Sequence, residues 1–149
     1  MILMKYHLDD TMSLIKKNTD YAIRALCFMA GQSPCMVSAA VLAERLGISW
    51  SLTRRILQEL TREGYIQSFR GKGGGFVIGV PPHEICVIEL IRIFQGALQF
   101  NKCLTSGKPC SNLATCALRR KVSEIENHVV SELESLTIAS LLEGKRAAT

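Results

Sequence analysis

Three cysteines form the part of the sequence with the clearest chemical capacity. Cys103, Cys110 and Cys116 follow a Cys-x6-Cys-x5-Cys spacing within residues 99–116, which have neither helical nor strand periodicity. An irregular loop of this kind can turn three thiolates toward one centre. Structural zinc sites favour closely spaced cysteine pairs and four protein ligands, whereas an iron–sulfur cluster is compatible with wider spacing and a fourth ligand other than cysteine. The pattern favours a 2Fe-2S or 4Fe-4S cluster over zinc. The other interpretation is that the three cysteines occur together by coincidence or have only a redox role.

The remaining cysteines and the histidines do not suggest an enzyme. Cys27 and Cys86 occur on apolar faces of predicted helices and are interpreted as packing residues, while Cys35 in a predicted loop stays unassigned. The three histidines are scattered along the chain, and none stands near a cysteine or carboxylate in a nucleophile–base pattern. The sequence therefore predicts a protein without catalytic residues.

A second group of polar side chains occupies one face of a helix predicted from Ser49 to about residue 62. At 100° per residue, Leu52, Ile56, Leu57 and Leu60 share one face, and the other face carries Ser51, Arg54, Arg55, Gln58 and Arg62. Hydroxyl, amide and guanidinium groups can all bind phosphates or base edges. We predict that Ser49, Ser51, Arg54 and Arg55 enter the major groove of duplex DNA. For this helix taken alone, a solvated face is the alternative.

The segments around this helix complete a recognisable arrangement. Ser38 can cap a short preceding helix, and Gly47 can take the left-handed conformation that a tight turn between the two helices requires. Residues 65–69 alternate like a strand, 70–75 (RGKGGG) form a turn, and 76–78 form a second strand. A helix, a turn, a helix and a glycine-tipped hairpin have the outline of a winged helix.

The tip of this hairpin, which we call the wing, combines positive charge with glycine. Arg70 and Lys72 supply the charge, and Gly73 and Gly74 allow close approach to a phosphate backbone or the minor groove. A nucleotide-binding P-loop is the alternative, but its motif places Ser or Thr after Gly-Lys at the start of a helix. Here Lys72 is followed by glycines and a strand, so nucleotide binding is not expected.

Composition agrees with a single DNA-binding domain. The chain has 149 residues, of which 48% are hydrophobic and 21% charged, so it can bury a core without disulfides or metal. Residues 11–80 hold nine Lys and Arg against four Asp and Glu, whereas residues 81–149 hold eight against seven. Aromatic residues make up only 6%, which disfavours stacking on single-stranded nucleic acid. No apolar run is long enough to span a membrane, and a cytoplasmic location is expected.

The outer helices are predicted to complete the fold. The first helix follows the capping candidates Asn18 and Thr19 and stops at Gly31, and another runs from His83 or Glu84 to about residue 96. A long final helix carries the apolar stripe Leu118, Val122, Ile125, Val129, Leu133 and Leu136. This stripe is too long for one small domain to cover, so we interpret it as a dimer contact, with a core helix of the same monomer as the alternative.

The predicted fold class is mainly α with a small β-hairpin wing: a winged helix-turn-helix DNA-binding domain followed by a long C-terminal dimerisation helix. The predicted organisation has four parts, which are a loose extension over 1–11, the DNA-binding domain over 12–82, dimerisation helices with the cysteine loop over 83–142, and a disordered tail over 143–149.

The sequence resembles one known family along most of its length. The segments KKNTDYAIRAL (16–26), LAERLGISWSLTRRILQEL (42–60) and GYIQSFRGKGGGFVIG (64–79), with the three-cysteine loop, resemble the Rrf2-type bacterial transcription regulators, which include IscR-like and NsrR-like sensors. The resemblance implies a homodimeric winged-helix repressor or activator that senses iron–sulfur status, nitric oxide, redox stress or cysteine supply. In cluster-bearing members three loop cysteines ligate the cluster, and they correspond to Cys103, Cys110 and Cys116.

Two positions depart from the IscR-like pattern. IscR-like members have a histidine ligand three residues after the third cysteine, where this chain has Arg119, which cannot ligate iron. NsrR-like members use an aspartate of the first helix, given by the other subunit, and this position is Asp20 here. Arg54 stands where the IscR-like branch has glutamate, so a different DNA sequence is expected.

These observations predict a homodimeric, sequence-specific regulator, with repression as the favoured direction, that binds a pseudo-palindromic operator. An iron–sulfur cluster held by Cys103, Cys110, Cys116 and Asp20 is predicted to control its DNA affinity. The alternatives are a cluster-free thiol-sensing or cysteine-metabolism regulator of the same fold and, less favoured, a small electron-transfer protein.

Overall fold

The computed structural model describes residues 13–100 and 114–147. Within these ranges the chain is mainly helical with one antiparallel hairpin, as predicted. The elements are α1 (Lys17–Gln32), α2 (Ala39–Leu46), α3 (Trp50–Arg62), β1 (Ile66–Phe69), β2 (Gly75–Ile78), a 3-10 turn (Pro82–Glu84), α4 (Val87–Gln95), α5 (Ala117–Ser135) and α6 (Ile138–Ala147). The predicted extension over 1–11 lies outside the described residues.

Local capping forms the helix-turn-helix. The Ser38 hydroxyl accepts a hydrogen bond from the Val41 amide at 3.3 Å, and the Ser49 hydroxyl accepts one from the Leu52 amide at 3.3 Å. Between them Gly47 has a φ of 65°, which a side chain would disfavour. The predicted caps and turn are confirmed.

The hairpin is joined to the segment before α2. Its strands pair from Ile66 opposite Ile78 to Phe69 opposite Gly75. Val37 adds a short bridge, because its amide donates to the Phe76 carbonyl at 2.9 Å and its carbonyl accepts from the Phe76 amide at 2.8 Å. The wing is therefore held by backbone bonds on both sides of β2.

One hydrophobic core joins the helix-turn-helix to the later helices. Its fully or nearly fully buried members include Ala22, Leu26, Leu42, Ile56, Leu57, Leu60, Ile66, Ile85, Leu90 and Ile138. Burying each large aliphatic side chain stabilises the fold by about 1.5 to 3 kcal/mol. Because this core includes residues on both sides of position 82, α4 and α6 share it with α1 to α3. The domain boundary at that position stays a prediction.

The helix predicted from residue 83 or 84 to 96 is interrupted, which corrects the sequence interpretation. The 3-10 turn ends at Glu84 and α4 begins only at Val87, because the backbone between them pairs with the end of α5. The Val87 amide donates to the Leu136 carbonyl at 2.8 Å, and the Ile138 amide donates to the Ile85 carbonyl at 3.0 Å. These two bonds require extended backbone on both segments.

The same pairing divides the long final helix into α5 and α6. The assignment of residues 143–149 to a disordered tail was wrong for 143–147, which belong to α6, whereas 148 and 149 lie outside the described residues. Thr137 supports the new helix start, because its side-chain oxygen accepts a hydrogen bond from the Ser140 amide at 3.2 Å. Most of the residues that follow are good helix formers.

The first helix also differs slightly from its prediction. It begins at Lys17 and continues past Gly31 to Gln32. The predicted cap Thr19 lies inside the helix and is fully buried. Its hydroxyl has a tertiary partner, Gln95, which the sequence pattern could not reveal.

Only the C-terminal half of α5 is packed within the described chain. Leu133 is buried against α4, and Val129 and Leu136 lie beside it. Toward the N-terminus of α5, Leu118 is 73% exposed and Ile125 is 51% exposed. The apolar stripe thus divides into a core half and an uncovered half.

Candidate nucleic-acid interface and cysteine site

Helix α3 buries one face and exposes the predicted polar residues. Ile56, Leu57 and Leu60 are buried as expected, whereas Leu52 is only half-buried and Thr53 takes the deepest position near the helix start. The Thr53 hydroxyl donates to the Ser49 carbonyl at 3.1 Å, which satisfies its buried polar atom. On the other face the predicted DNA-binding residues Ser49, Ser51, Arg54 and Arg55 are all exposed.

A groove of about 530 Å³ separates α3 from the hairpin. It is lined by Arg54, Gln58, Thr61, Arg62, Ser68, Arg70 and Phe76. The structure thus brings a predicted helix residue, Arg54, and a predicted wing residue, Arg70, to the same concave surface. We call it the α3–wing groove.

The cationic side chains of α3 and the wing differ in whether a carboxylate pairs with them. Arg62 is paired with Glu59 and with Glu63. In the part of the chain that the structure describes, no carboxylate pairs with the remaining cations, which are Arg54, Arg55, Arg70 and Lys72. Two of these uncompensated cations, Arg54 and Arg70, line the groove, and such charges produce a field that attracts a polyanion.

The glycines of the wing meet strict steric requirements. Gly71 and Gly73 have φ values of 107° and 82°, a region that residues with a Cβ rarely adopt. A Cβ added to Gly74 would lie 2.3 Å from the Phe69 carbonyl oxygen. The tip therefore depends on glycine for its shape, and Arg70 and Lys72 are exposed on it.

Two features near this surface and the base of the hairpin were not identified from the sequence pattern. Trp50, the first residue of α3, is 50% exposed, and the Arg54 guanidinium carbon lies 4.8 Å from the centroid of its ring. Their spacing of four residues along a helix is the signal that could have indicated this contact. Near the base of the hairpin, burial raises the pKa of Tyr65, and Glu89, Glu63 and Cys86 raise it further, so its phenol stays neutral near pH 7.

Of the predicted cluster ligands, the structure describes Cys116 and Asp20, whereas Cys103 and Cys110 lie outside the described residues. Cys116 is the half-buried N-cap of α5, and its sulfur accepts a hydrogen bond from the Arg119 amide at 3.5 Å. Backbone amides directed at a ligating sulfur tune iron–sulfur centres in proteins. This environment fits a ligand sulfur.

Asp20 lies in the first turn of α1, where one carboxylate oxygen is 2.9 Å from the Arg24 Nε. Both side chains remain partly exposed. Among residues 13–100 and 114–147, no three His, Cys, Asp or Glu side chains come together as a metal site. The described residues therefore bring Asp20 to Arg24, and the full ligand set stays a prediction.

The other described cysteines occupy different environments. Cys27 and Cys86 are half-buried and pack beside the two hydrophobic clusters, as expected, but Cys86 lies in the extended segment before α4 rather than on a helix face. Cys35 is exposed.

Both ends of the cysteine loop are anchored. The Phe100 amide donates to a Glu126 carboxylate oxygen at 2.8 Å, which ties the start of the loop to the middle of α5. The loop ends at Cys116, where α5 begins. Sequence reasoning did not identify Glu126, because its partner is a backbone amide rather than a patterned residue.

Gln95, at the end of α4, links the approach to this loop with the N-terminal part of α1. Its side-chain oxygen accepts hydrogen bonds from the Lys16 amide at 2.9 Å and the Thr19 hydroxyl at 2.7 Å. Its side-chain nitrogen donates to the Leu14 carbonyl at 3.0 Å. One amide therefore connects α4 to the helix that carries Asp20.

Replacing Gln95 by Ala should lower the free energy of unfolding by about 2 to 3 kcal/mol, because three bonds are lost and the buried Thr19 hydroxyl loses its partner. Urea denaturation of the DNA-free protein measures this change. Gln58→Ala, at an exposed helical position, is the matched control and should change stability by less than about 0.5 kcal/mol. Equal effects of the two substitutions would contradict this role.

Comparison with known proteins agrees with the described architecture. The model of a family described as "Iron-dependent Transcriptional regulator" (Rrf2) matches residues 15–144. Among solved structures, IscR of T. potens has a TM-score of 0.73 at 22% identity, covering 93% of this chain and 92% of that one. CymR, the global cysteine regulator of B. subtilis, has a TM-score of 0.74 at 23% identity, covering 89% of this chain and 98% of that one. In the described part of the chain no helix is long and apolar enough to cross a membrane.

Proposed function

Because this chain belongs to the Rrf2 family of transcriptional regulators, we propose that it is a homodimeric, sequence-specific DNA-binding repressor controlled by an iron–sulfur cluster. The observation that carries the DNA-binding part is the α3–wing groove, which is lined by the uncompensated cations Arg54 and Arg70, with exposed Arg55 on the same helix and exposed Lys72 on the wing. The proposed regulator binds DNA in the cytoplasm and catalyses no reaction.

Base reading is assigned to the start of α3 and phosphate binding to the wing. Helix α3 and its N-cap expose Ser49, Ser51, Arg54 and Arg55 where a recognition helix would face the major groove. Arg70 and Lys72 would bind phosphates beside it, and the conformations of Gly73 and Gly74 allow the backbone to approach them closely. The domain over 12–82 is proposed as the DNA-binding unit.

The uncovered half of α5 supports dimerisation. Leu118 and Ile125 are apolar and mostly exposed, and Val122 lies between them on the same stripe. Packing this stripe against a second copy would remove it from water at about 25 cal/mol per Å² of apolar surface. A twofold dimer presents two α3 helices, so the proposed operator is a pseudo-palindrome.

Cys103, Cys110, Cys116 and Asp20 are proposed to hold the cluster. Thiolates are the usual ligands of such clusters, and a carboxylate is a harder and more labile ligand that suits a sensor. When bound, the cluster would supply a centre that reacts with small oxidants or nitric oxide or reports iron supply. Glu126 ties the start of that loop to α5, and Gln95, on α4 before the loop, is bonded to the N-terminal part of α1 in the proposed DNA-binding unit. A change in the loop can therefore alter the relative placement of the two α3 helices.

A cluster-free cysteine-responsive regulator of the same fold is the second candidate. It is favoured by the similarity to CymR, a cysteine regulator, and by the exposure of Cys35. The absorption spectrum of anaerobically purified protein, with iron and sulfide analysis, distinguishes the two. A brown protein supports the cluster, and a colourless protein without iron supports the alternative.

Two substitutions separate phosphate binding from base reading. Lys72→Ala should weaken binding to all duplexes alike and lower the slope of log K against log salt by about one unit, because one phosphate contact is lost. Arg54→Ala should instead relax preference at particular base pairs, at a cost of about 1 to 3 kcal/mol. Fluorescence anisotropy across salt concentrations measures both, and equal sequence-independent losses would refute the assignment of α3.

The proposed role of Asp20 is testable in mixed dimers. Asp20→Ala should lower the iron content, because Arg119 cannot replace the carboxylate as a ligand. If Asp20 acts across the dimer, heterodimers of Asp20→Ala and Cys110→Ala subunits have one site with both lesions and one site with neither. These heterodimers should recover about half of the wild-type cluster content, because one of the two sites in a twofold dimer is then intact.

Arg24→Ala provides the control for the ion pair that Asp20 makes in the structure. It removes the partner but keeps the carboxylate, so its iron content should remain near that of wild type. Recovery of no cluster in verified heterodimers would contradict ligation across the dimer. Unchanged iron content and oxidant sensitivity in Asp20→Ala would contradict ligation by Asp20 altogether.

A further inference from the structure

We propose that Trp50 determines part of the DNA specificity, by positioning Arg54 against a guanine and by covering the methyl group of a neighbouring thymine. This inference rests on the proposed function, since it assumes that α3 enters the major groove. It adds a residue that composition and motif spacing did not indicate, and it specifies a dinucleotide step, T·A next to G·C.

Trp50 is not held by the hydrophobic core. It is the first residue of α3 and is 50% exposed, whereas Thr53 and Ile56 fill the buried positions of the same helix. It is also the chain's one tryptophan. Within residues 13–100 and 114–147, Trp50 belongs to neither hydrophobic cluster, so core packing among these residues does not account for it.

The Trp50 ring has a defined partner on the polar face. The Arg54 guanidinium carbon lies 4.8 Å from the ring centroid, within the range of a cation–π contact. Arg54 also lines the α3–wing groove, and no carboxylate within the described residues competes for it. The indole therefore restrains a guanidinium that would otherwise sample many rotamers.

Such restraint matters for base recognition. Arginine reads guanine by two parallel hydrogen bonds to O6 and N7, which require the guanidinium to lie near the base plane. An indole stacked on one face of that guanidinium would then lie beside the edge of the adjacent base pair. The apolar feature of a base-pair edge in the major groove is the thymine C5-methyl group. A T·A pair beside the G·C pair offers Trp50 a surface to cover.

The experiment begins with duplexes of 20 random base pairs, from which wild-type protein selects its binding sites. Trp50→Ala, Trp50→Phe and Arg54→Ala are then compared on the winning duplex. Two further duplexes change the thymine of this step. In one, uracil replaces thymine, which removes only the methyl group. In the other, a 5-methylcytosine·guanine pair replaces the thymine·adenine pair, which keeps the methyl group. Thermal unfolding without DNA checks that each variant is folded.

Wild-type protein should bind the thymine and 5-methylcytosine duplexes about fourfold more tightly than the uracil duplex. This is the gain in affinity expected from removing one methyl group from water. Trp50→Ala should bind all three equally and should also discriminate less against replacement of the guanine. Trp50→Phe, which keeps an aromatic face, should preserve part of both preferences. Tryptophan emission of wild-type protein should change on saturation with the selected duplex, because the single indole becomes covered.

The outcomes separate this inference from the proposed function. If wild-type protein selects no duplex, the proposed function itself fails. If wild-type protein selects a site, but Trp50→Ala keeps the full thymine-over-uracil and guanine preferences, then Trp50 is not a specificity residue. Emission that is unaffected by saturating duplex would likewise overturn the inference.

Discussion

Cys116→Ala is expected to reduce the iron and sulfide content of anaerobically purified protein to about a tenth or less of the wild-type value. The substitution removes one of the proposed thiolate ligands. Because four ligands together supply the binding free energy of the metal centre, removing one of them loses a large part of that free energy. The alanine also leaves the Arg119 amide at the start of α5 without its sulfur acceptor. Metal analysis and the visible absorption spectrum measure the loss.

Cys103→Ala and Cys110→Ala should lose iron to the same extent. Cys27→Ala is the matched control, because Cys27 packs beside the core in α1 and is proposed to have no ligand role. A wild-type protein that is colourless and carries stoichiometric zinc would contradict the cluster. Retention of the wild-type spectrum by Cys116→Ala would remove Cys116 from the ligand set.

Gly74→Ala is expected to have the largest effect at the DNA-binding surface. An alanine Cβ would lie 2.3 Å from the Phe69 carbonyl oxygen and 3.0 Å from the Gly71 carbonyl oxygen, so the backbone of the tip must rearrange. Forcing an atom into such a space costs about 1 to 3 kcal/mol or more. The rearrangement would displace Arg70 and Lys72 together, and the salt slope of DNA binding should fall by about two units.

Gly31→Ala is the matched control for this substitution. Gly31 lies within α1, and a Cβ there would meet nothing within 4 Å, so alanine should stabilise the helix by about 0.5 to 1 kcal/mol. Its DNA affinity should equal that of wild type. A Gly74→Ala protein with unchanged DNA affinity and salt slope would show that the wing does not contact phosphate.

Much of the DNA-binding surface could be predicted because its determinants are local. The caps at Ser38 and Ser49 and the turn at Gly47 act within a few residues, and each occurs where the sequence predicted it. The faces of α3 follow from helical periodicity, which explains why Ile56 and Leu60 are buried and Arg54 is exposed. Cys103 and Cys110 lie outside the described residues, so their role as ligands stays a prediction.

Sequence patterns alone therefore specified the order of the early helices and the hairpin, the caps at Ser38 and Ser49, and the polar face of α3. The tertiary structure decided where α4 and α6 begin, because Ile85 and Val87 form backbone bonds with the segment after α5. It also made Thr19 a buried partner of Gln95 rather than a cap, and it brought Arg70 to the same groove as Arg54. Such contacts join residues far apart in the chain, and neither periodicity nor capping rules specify which distant backbone or side-chain groups will meet.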